Sequence, residues 1–255
     1  DNFGSIATAI AEGRALYDNL RKFITYIFAG NIPEILPFML TALAKIPLAL
    51  QVQQILAIDL GTDLLPALAL GAEHPEPDVM KRPPRRRDQP LIDRGLLQRA
   101  WLWLGPIEAG LCYLGFALVY AAFGHADQVG LPALPWLEAL NPLRRPLEEV
   151  HLLATTVFFS GVITAQIGNA FACRTEKGSA HLMGWLTNRW LLFGVAAEVL
   201  LAIALIYLEP WQGLFELRPL PAVYWIVLCA YAPVVYALER TRKAGVRFLD
   251  RVRQQ

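Results

Sequence analysis

The chain has 255 residues, 55% hydrophobic and 18% charged, with a formal net charge of +1. So apolar a composition argues against an ordinary water-soluble domain, and a charge balance near zero gives no sign of nucleic-acid binding. Three cysteines, Cys112, Cys173 and Cys229, lie far apart without CxxC spacing, so they read as small packing residues rather than disulfide partners or zinc ligands.

The chain opens at Asp1 on a polar stretch without the charged and apolar regions of a signal peptide, and reads as the tail of a longer polypeptide. Six stretches of about 20 mostly apolar residues follow, each long enough to cross a bilayer. They fall near 22–43, 50–70, 99–123, 149–172, 190–208 and 221–238. The expected fold is all-α, a polytopic membrane bundle of six transmembrane helices with a short cytoplasmic stalk. The expected division is a stalk at 1–21, an ion-binding helix pair at 22–70, a basic loop at 71–98, a four-helix transmembrane part at 99–238 and a basic tail at 239–255.

The first span contains Asn31 and Glu34, three apart and so on one helix face. Pro33 and Pro37 lack the N–H that would pair with the carbonyls of Ala29 and Pro33. In lipid a freed carbonyl needs another partner, and a dehydrated hard cation is one. The short turn Ala44-Lys45-Ile46-Pro47-Leu48 makes the first two spans antiparallel neighbours. The second span supplies Asp59, Thr62 and Asp63, with Gly61 as a point where the helix could unwind and Pro66 freeing the Thr62 carbonyl. Asp59 and Asp63, four apart, are expected on one helical face, and a rise of about 1.5 Å per residue puts Glu34 and Asp59 at similar depth. An acid inside a bilayer costs at least about 2.5 kcal/mol, so Glu34, Asp59 and Asp63 with Asn31 and Thr62 read as a cation site.

Beyond the second span comes Met80-Lys81-Arg82-Pro83-Pro84-Arg85-Arg86-Arg87, read as a topology anchor touching lipid headgroups. Glu108 and Glu198 are lone acids on the third and fifth spans, each open to an ion role, an interhelical hydrogen bond or a proton route. Gln166 and Asn169 on the fourth span read equally as ligands or as interhelical contacts. His74, His125, His151 and His181 fall in loops or at span ends. The segment from Glu239 onward carries six Lys and Arg against two acids and is expected as a short interfacial helix. With residues 1–21 cytoplasmic, 19 of the 23 Lys and Arg lie on the cytoplasmic side, which puts both termini there.

Several of these segments carry a family resemblance. Asn31-Ile32-Pro33-Glu34, Ile58-Asp59-Leu60-Gly61-Thr62-Asp63 and the run from Pro75 to Arg85 resemble the membrane domain of type II P-type cation-transporting ATPases. The opening Asp1-Asn2-Phe3-Gly4-Ser5-Ile6, with Glu12-Gly13-Arg14 and Tyr17-Asp18-Asn19-Leu20-Arg21-Lys22-Phe23, resembles the family's exit from the phosphorylation domain into the stalk of its fifth membrane helix. The resemblance implies that the six spans correspond to membrane helices five to ten. Asp59 with Gly61, and the Asn-Ile-Pro-Glu segment, are similar to the sodium/potassium branch, whereas calcium pumps usually show Asn-Leu-Val-Thr-Asp and Asn-Val-Gly-Glu.

By that resemblance Asn31, Glu34, Asp59 and Asp63 are ligands of two central sites with Thr62 beside them, and Tyr26, Gln166 and Glu198 match positions near a third sodium site. The chain departs there at Gly30, where Ser or Lys is usual, at Asn169, where Asp is usual, and at Ala197, where a second acid is usual. The implied cargo is Na+ or K+, with Ca2+ open. The family's Asp-Lys-Thr-Gly-Thr, Thr-Gly-Glu-Ser and Gly-Asp-Gly-Val-Asn-Asp motifs do not occur in these residues. The resemblance therefore implies that Mg2+ and ATP act through actuator, nucleotide-binding and phosphorylation domains outside the chain, in a bacterial-type plasma membrane. A gradient-driven carrier or an inactive remnant are the alternatives, and the absence of a second broken-helix pair argues against the carrier.

Overall fold

The computed structural model describes residues 3–76, 78–81, 83, 90–139, 145–176 and 184–252. Among these there is no strand, and six helical spans are long and apolar enough to cross a membrane: Gly4–Ala44, Val52–Gly71, Arg94–Ala122, Leu147–Cys173, Arg189–Tyr207 and Ala222–Leu249. Each apolar stretch read from the sequence is one span of an all-α polytopic bundle. The basic run between the second and third spans falls largely outside the described residues, which lack Arg82 and 84–89; Asp1, Asn2, Arg144, His181 and Arg253 also lie outside them.

Helix α1 (Phe3–Ala44) is continuous through the expected stalk and through both Pro33 and Pro37. It closes at Lys45, whose φ of 56° is the left-handed geometry that ends many helices, and the chain turns back at Ile46 and Pro47. The second span has three parts: α2 (Val52–Ala57), a π-helical turn (Ile58–Thr62) and α3 (Leu64–Gly71). The third is built alike from α4 (Arg94–Arg99), a π turn (Ala100–Leu104) and α5 (Gly105–Ala122). Both wide turns precede a proline, Pro66 or Pro106, whose missing N–H leaves a carbonyl of the preceding turn unpaired. The hydrogen-bond ladder loses least by slipping to i+5 spacing at such a place. The point expected to unwind at Gly61 is thus a widened turn, packed so tightly that an added Cβ would lie 2.6 Å from Leu201 Cδ2.

A short helix α6 (Pro135–Ala139) lies in the long connection before α7 (Leu147–Cys173). Then come α8 (Arg189–Tyr207), α9 (Glu209–Phe215), α10 (Ala222–Cys229) and α11 (Tyr231–Val252). Helix α7 is the central element, buried along most of its length, with α1, α5 and α11 packed around it, while α3 lies between α1 and α8. Outward-facing Leu43, Leu60, Leu102, Trp190, Leu200 and Ile226 are exposed, as expected of a lipid-facing surface. The separate interfacial helix expected from Glu239 onward is instead the continuation of α11. Buried contacts hold it there: Arg99 Nε donates to Glu239 Oε1 at 2.9 Å, and Lys243 Nζ donates to the Ala172 and Thr175 carbonyls at the end of α7 at 2.6 and 2.7 Å.

The end of the bundle carrying both termini is laced by ion pairs. Arg174, fully buried, donates from Nε to Glu73 Oε2 at 2.7 Å and from Nη2 to Glu73 Oε1 at 3.2 Å. Asn188 caps α8 through the Leu191 N–H and donates to Glu73 Oε2 at 3.1 Å. Burial pushes the Glu73 carboxyl up, but hydrogen bonds from Arg174 and Asn188 outweigh it and hold the group below the usual carboxylate range. From α1, Lys22 pairs with Glu76 at 3.3 Å, and Arg21 reaches both Asp93 and Glu176 at 2.9 Å. Through these pairs α1 is tied to the loop after the second span and to the end of α7.

Candidate cation site

Asp63 follows the π turn of the second span, is buried, and accepts hydrogen bonds from two other helices. Gln166 Nε2 of α7 donates to its Oδ2 at 2.8 Å, and the Tyr26 hydroxyl of α1 donates to its Oδ1 at 3.4 Å. Close approach of α1 makes this contact. Gly30 lies where an added Cβ would be 2.7 Å from Gln166 Nε2 and 3.4 Å from Asp63 Oδ2. Gly30→Ala is therefore expected to push the Gln166 amide off Asp63. Losing a hydrogen bond to a charged group, worth about 1.5–3 kcal/mol, corresponds to roughly tenfold weaker cation binding or more. An equilibrium isotope-binding assay with unchanged affinity would show that the Gln166 contact has no part in the site.

The remaining residues read from the sequence distribute unevenly. Glu34 is buried on α1, with Oε1 lacking a hydrogen-bond partner, and Asn31 is half-buried one turn before it. Thr62 is buried, and its hydroxyl donates to the Ile58 carbonyl at 3.0 Å. Asp59 is exposed, so the single face expected for Asp59 and Asp63 is split. The cause is the π turn: Asp63 N–H bonds to Ile58 C=O at 2.9 Å, and this wider winding rotates residues four apart off a common stripe. The carbonyls of Ala29 and Thr62 do lie one turn before a helical proline, as expected, since α1 and α3 run through Pro33 and Pro66. Asn169 has partners other than Asp63, its Nδ2 donating to the Tyr26 carbonyl at 3.4 Å and its Oδ1 accepting from Cys173 at 3.1 Å.

Glu108 of α5 and Glu198 of α8 are both buried, and none of their four carboxyl oxygens has a hydrogen-bond partner. Each lies within electrostatic range of Asp63, and Asp59, Asp63 and Glu108 all act on Glu34. Five acids from four spans thus share one neighbourhood. Among the described residues no three Asp, Glu, His or Cys side chains are close enough to hold a metal ion by themselves. Any cation held here would need the amides, hydroxyls and carbonyls as well as the acids. Sequence reasoning missed the two π turns and the Glu73–Arg174 pair. The only available signal was weak: prolines after each π turn, and opposite charges flanking the second and fourth spans.

A helical membrane bundle with buried acids and amides converging on its middle defines a cation-translocating type of domain. Residues 47–244 match the family described as cation transporting ATPase, C-terminus. The chain belongs to that family. It is 34% identical over 260 residues to the rat sodium/potassium-transporting ATPase subunit alpha-4, covering 97% of this chain and 25% of the relative. The Drosophila melanogaster sodium/potassium-transporting ATPase subunit alpha is 33% identical over 259 residues, with the same coverage. Human sodium/potassium-transporting ATPase subunit alpha-3 is 34% identical over 260 residues, 97% of this chain and 26% of that one. The chain therefore spans about a quarter of the length of the curated relatives it matches.

Proposed function

We propose that the protein binds and moves a monovalent cation, Na+ or K+, in an ATP-driven pump, with Asn31, Glu34, Asp59, Thr62 and Asp63 as ligands. The observation that carries this reading is buried Asp63, held by Tyr26 and Gln166 from two other helices, beside buried Glu34. A monovalent ion suits acids that gather in one neighbourhood without, among the described residues, three of them coming close enough to share a metal, whereas Ca2+ takes six to eight oxygens and often several carboxylates. Tyr26, Gln166, Asn169 and Glu198 surround or brace the Asp63 end of the site.

Mg2+ and ATP act through actuator, nucleotide-binding and phosphorylation domains of the same or another chain. Residues 1–21 serve as the stalk that receives their motion and 22–70 as the ion-binding pair. Residues 71–98, 99–238 and 239–255 are the basic loop, the supporting transmembrane part and the basic tail. Both termini face the cytoplasm of a bacterial-type plasma membrane, where the concentration of Lys and Arg supports that orientation. Motion of α1 transmits the chemistry, because the continuous helix joins the stalk to Asn31 and Glu34 without a hinge at the membrane surface. Ion affinity changes as α1 tilts against the second span, and differential binding in the two states drives transport.

The test is ion accumulation in proteoliposomes. Radiolabelled sodium or rubidium is expected to accumulate only when the catalytic domains, Mg2+ and ATP are all present. Robust gradient-driven flux through this chain alone would overturn the pump reading, and ATP-driven uptake of calcium instead would reassign the ion. Within the pump, Asp59→Asn is expected to lower apparent cation affinity about tenfold without loss of folding, read as ion-stimulated ATP hydrolysis. Unchanged stimulation would remove Asp59 from the ligand set.

A further inference from the structure

Helix α9 joins the fifth and sixth spans, and with its capping residues it sorts into two stripes. Leu208, Trp211 and Leu214 recur every three residues and are exposed at 52%, 44% and 60%. Glu209, Gln212 and Glu216, spaced by three and four, lie on the other side and line an open cavity with Glu148 and Arg218. A helix with one apolar and one polar face is the kind that lies flat at a membrane surface, lipid chains below it and water above.

Contacts on the polar side keep the apolar face turned outward. Gln54 Nε2 donates to the Phe215 carbonyl at 2.8 Å and Gln51 Nε2 donates to Glu216 Oε2, so the start of the second span holds the end of α9. Glu216 closes the helix with a left-handed φ of 51°, and the Leu217 N–H bonds back to the Gln212 carbonyl at 3.1 Å. What lies against the exposed stripe follows from where it leads. Leu200, Ile203 and Tyr207 form a lipid-facing edge of α8, and Leu208 continues that edge onto α9 without a break. The same end of the bundle carries amphipathic aromatics. Tyr207 donates to the Leu220 carbonyl and accepts from Trp225 Nε1, both at 2.8 Å, while Trp136 and Trp211 are exposed. Trp and Tyr concentrate where hydrocarbon meets headgroups, which sets the depth at which α9 begins.

We propose that α9 is an interfacial anchor, lying in the plane of the membrane at the end of the bundle opposite the termini. Leu208, Trp211 and Leu214 sit among the lipid chains, and the bonds from Gln51 and Gln54 hold the start of the second span at that depth. The bilayer thereby fixes one end of the span that carries Asp59 and Asp63.

The test reconstitutes the complete pump in phosphatidylcholine vesicles, with Cys229 and any other accessible cysteine replaced, and attaches a nitroxide at Leu214→Cys, Gly213→Cys or Val52→Cys. Collision with oxygen, which gathers in the bilayer, and with a water-soluble nickel chelate gives the depth of each label. Gly213 lines the polar cavity and accepts a side chain freely, since nothing lies within 4 Å of an added Cβ. The Leu214 label is expected about 5–10 Å inside the headgroup boundary, and the Gly213 label in water. Leu208→Cys repeats the reading from the other end of the stripe. A Leu214 label as open to nickel as the Gly213 label would overturn the inference, because the stripe would then face water. Shielding from both reagents would overturn it as well, because a protein partner would then cover the stripe. With Leu214→Asp in place, the label at exposed Val52 is expected to move toward water, and no movement would overturn the anchoring of the second span. None of these readings involves the ion, so they fail or succeed separately from the proposed function.

Discussion

Asp63→Asn is expected to weaken cation binding by about 100-fold or more while the protein remains folded. The wild-type carboxylate accepts from the Tyr26 hydroxyl on one oxygen and from Gln166 Nε2 on the other. An asparagine keeps the volume but turns one oxygen into an NH2 group, which then faces a donor. The change removes a buried carboxyl of the site and one hydrogen bond to it, and a bond to a charged group contributes about 1.5–3 kcal/mol. Equilibrium binding of radiolabelled sodium or rubidium reads the loss, and gel filtration with thermal unfolding reads the fold. A normal isotherm would exclude Asp63 as a ligand.

Arg174→Ala is expected to produce the largest loss of stability, about 3–5 kcal/mol, because it leaves Glu73 a buried charge without its partner. The guanidinium also binds the Gly184 carbonyl and Thr187 Oγ1, both at 2.7 Å, so the connection between the fourth and fifth spans loosens as well. Glu73→Gln combined with Arg174→Met is expected to cost less than the two single changes added together, since no lone charge remains.

The same pair makes a pH prediction. Glu73 is held below its ordinary value, so its contribution to stability is fully present above about pH 4.3, the unfolded value, and is lost as pH falls through the lower folded value. Thermal unfolding followed by tryptophan fluorescence should show this acid-side loss in the wild type and a flatter profile in Arg174→Ala. Equal profiles would show that the pair does not contribute through charge.

Much of the fold was legible because its signal is local. About 20 apolar residues suffice to define a span, and each of the six was found close to its position in the structure. The tail from Glu239 was misread because its charges suggest a surface helix. In the structure Arg99 and the carbonyls at the end of α7 bind Glu239 and Lys243 in place, which lets α11 continue unbroken. Local composition carries no information about partners 68 to 140 residues away.

Within the site the division is similar. The oxygen-bearing residues of the first two spans, and the family wording around them, stand in the sequence alone, because an acid in an apolar stretch is conspicuous wherever it falls. Tertiary structure alone decided which of them meet. A hydrogen-bond ladder slipping at one proline-weakened turn puts Asp63 inside and Asp59 outside, against the four-residue spacing that would join them on a regular helix. Helix packing brings Gln166 onto Asp63 and draws Glu108 and Glu198, lone acids by sequence, into its electrostatic range. The residue types were determined by the chain one position at a time. Their convergence depends on the winding of two helices and the docking of four, and no short stretch of sequence records either.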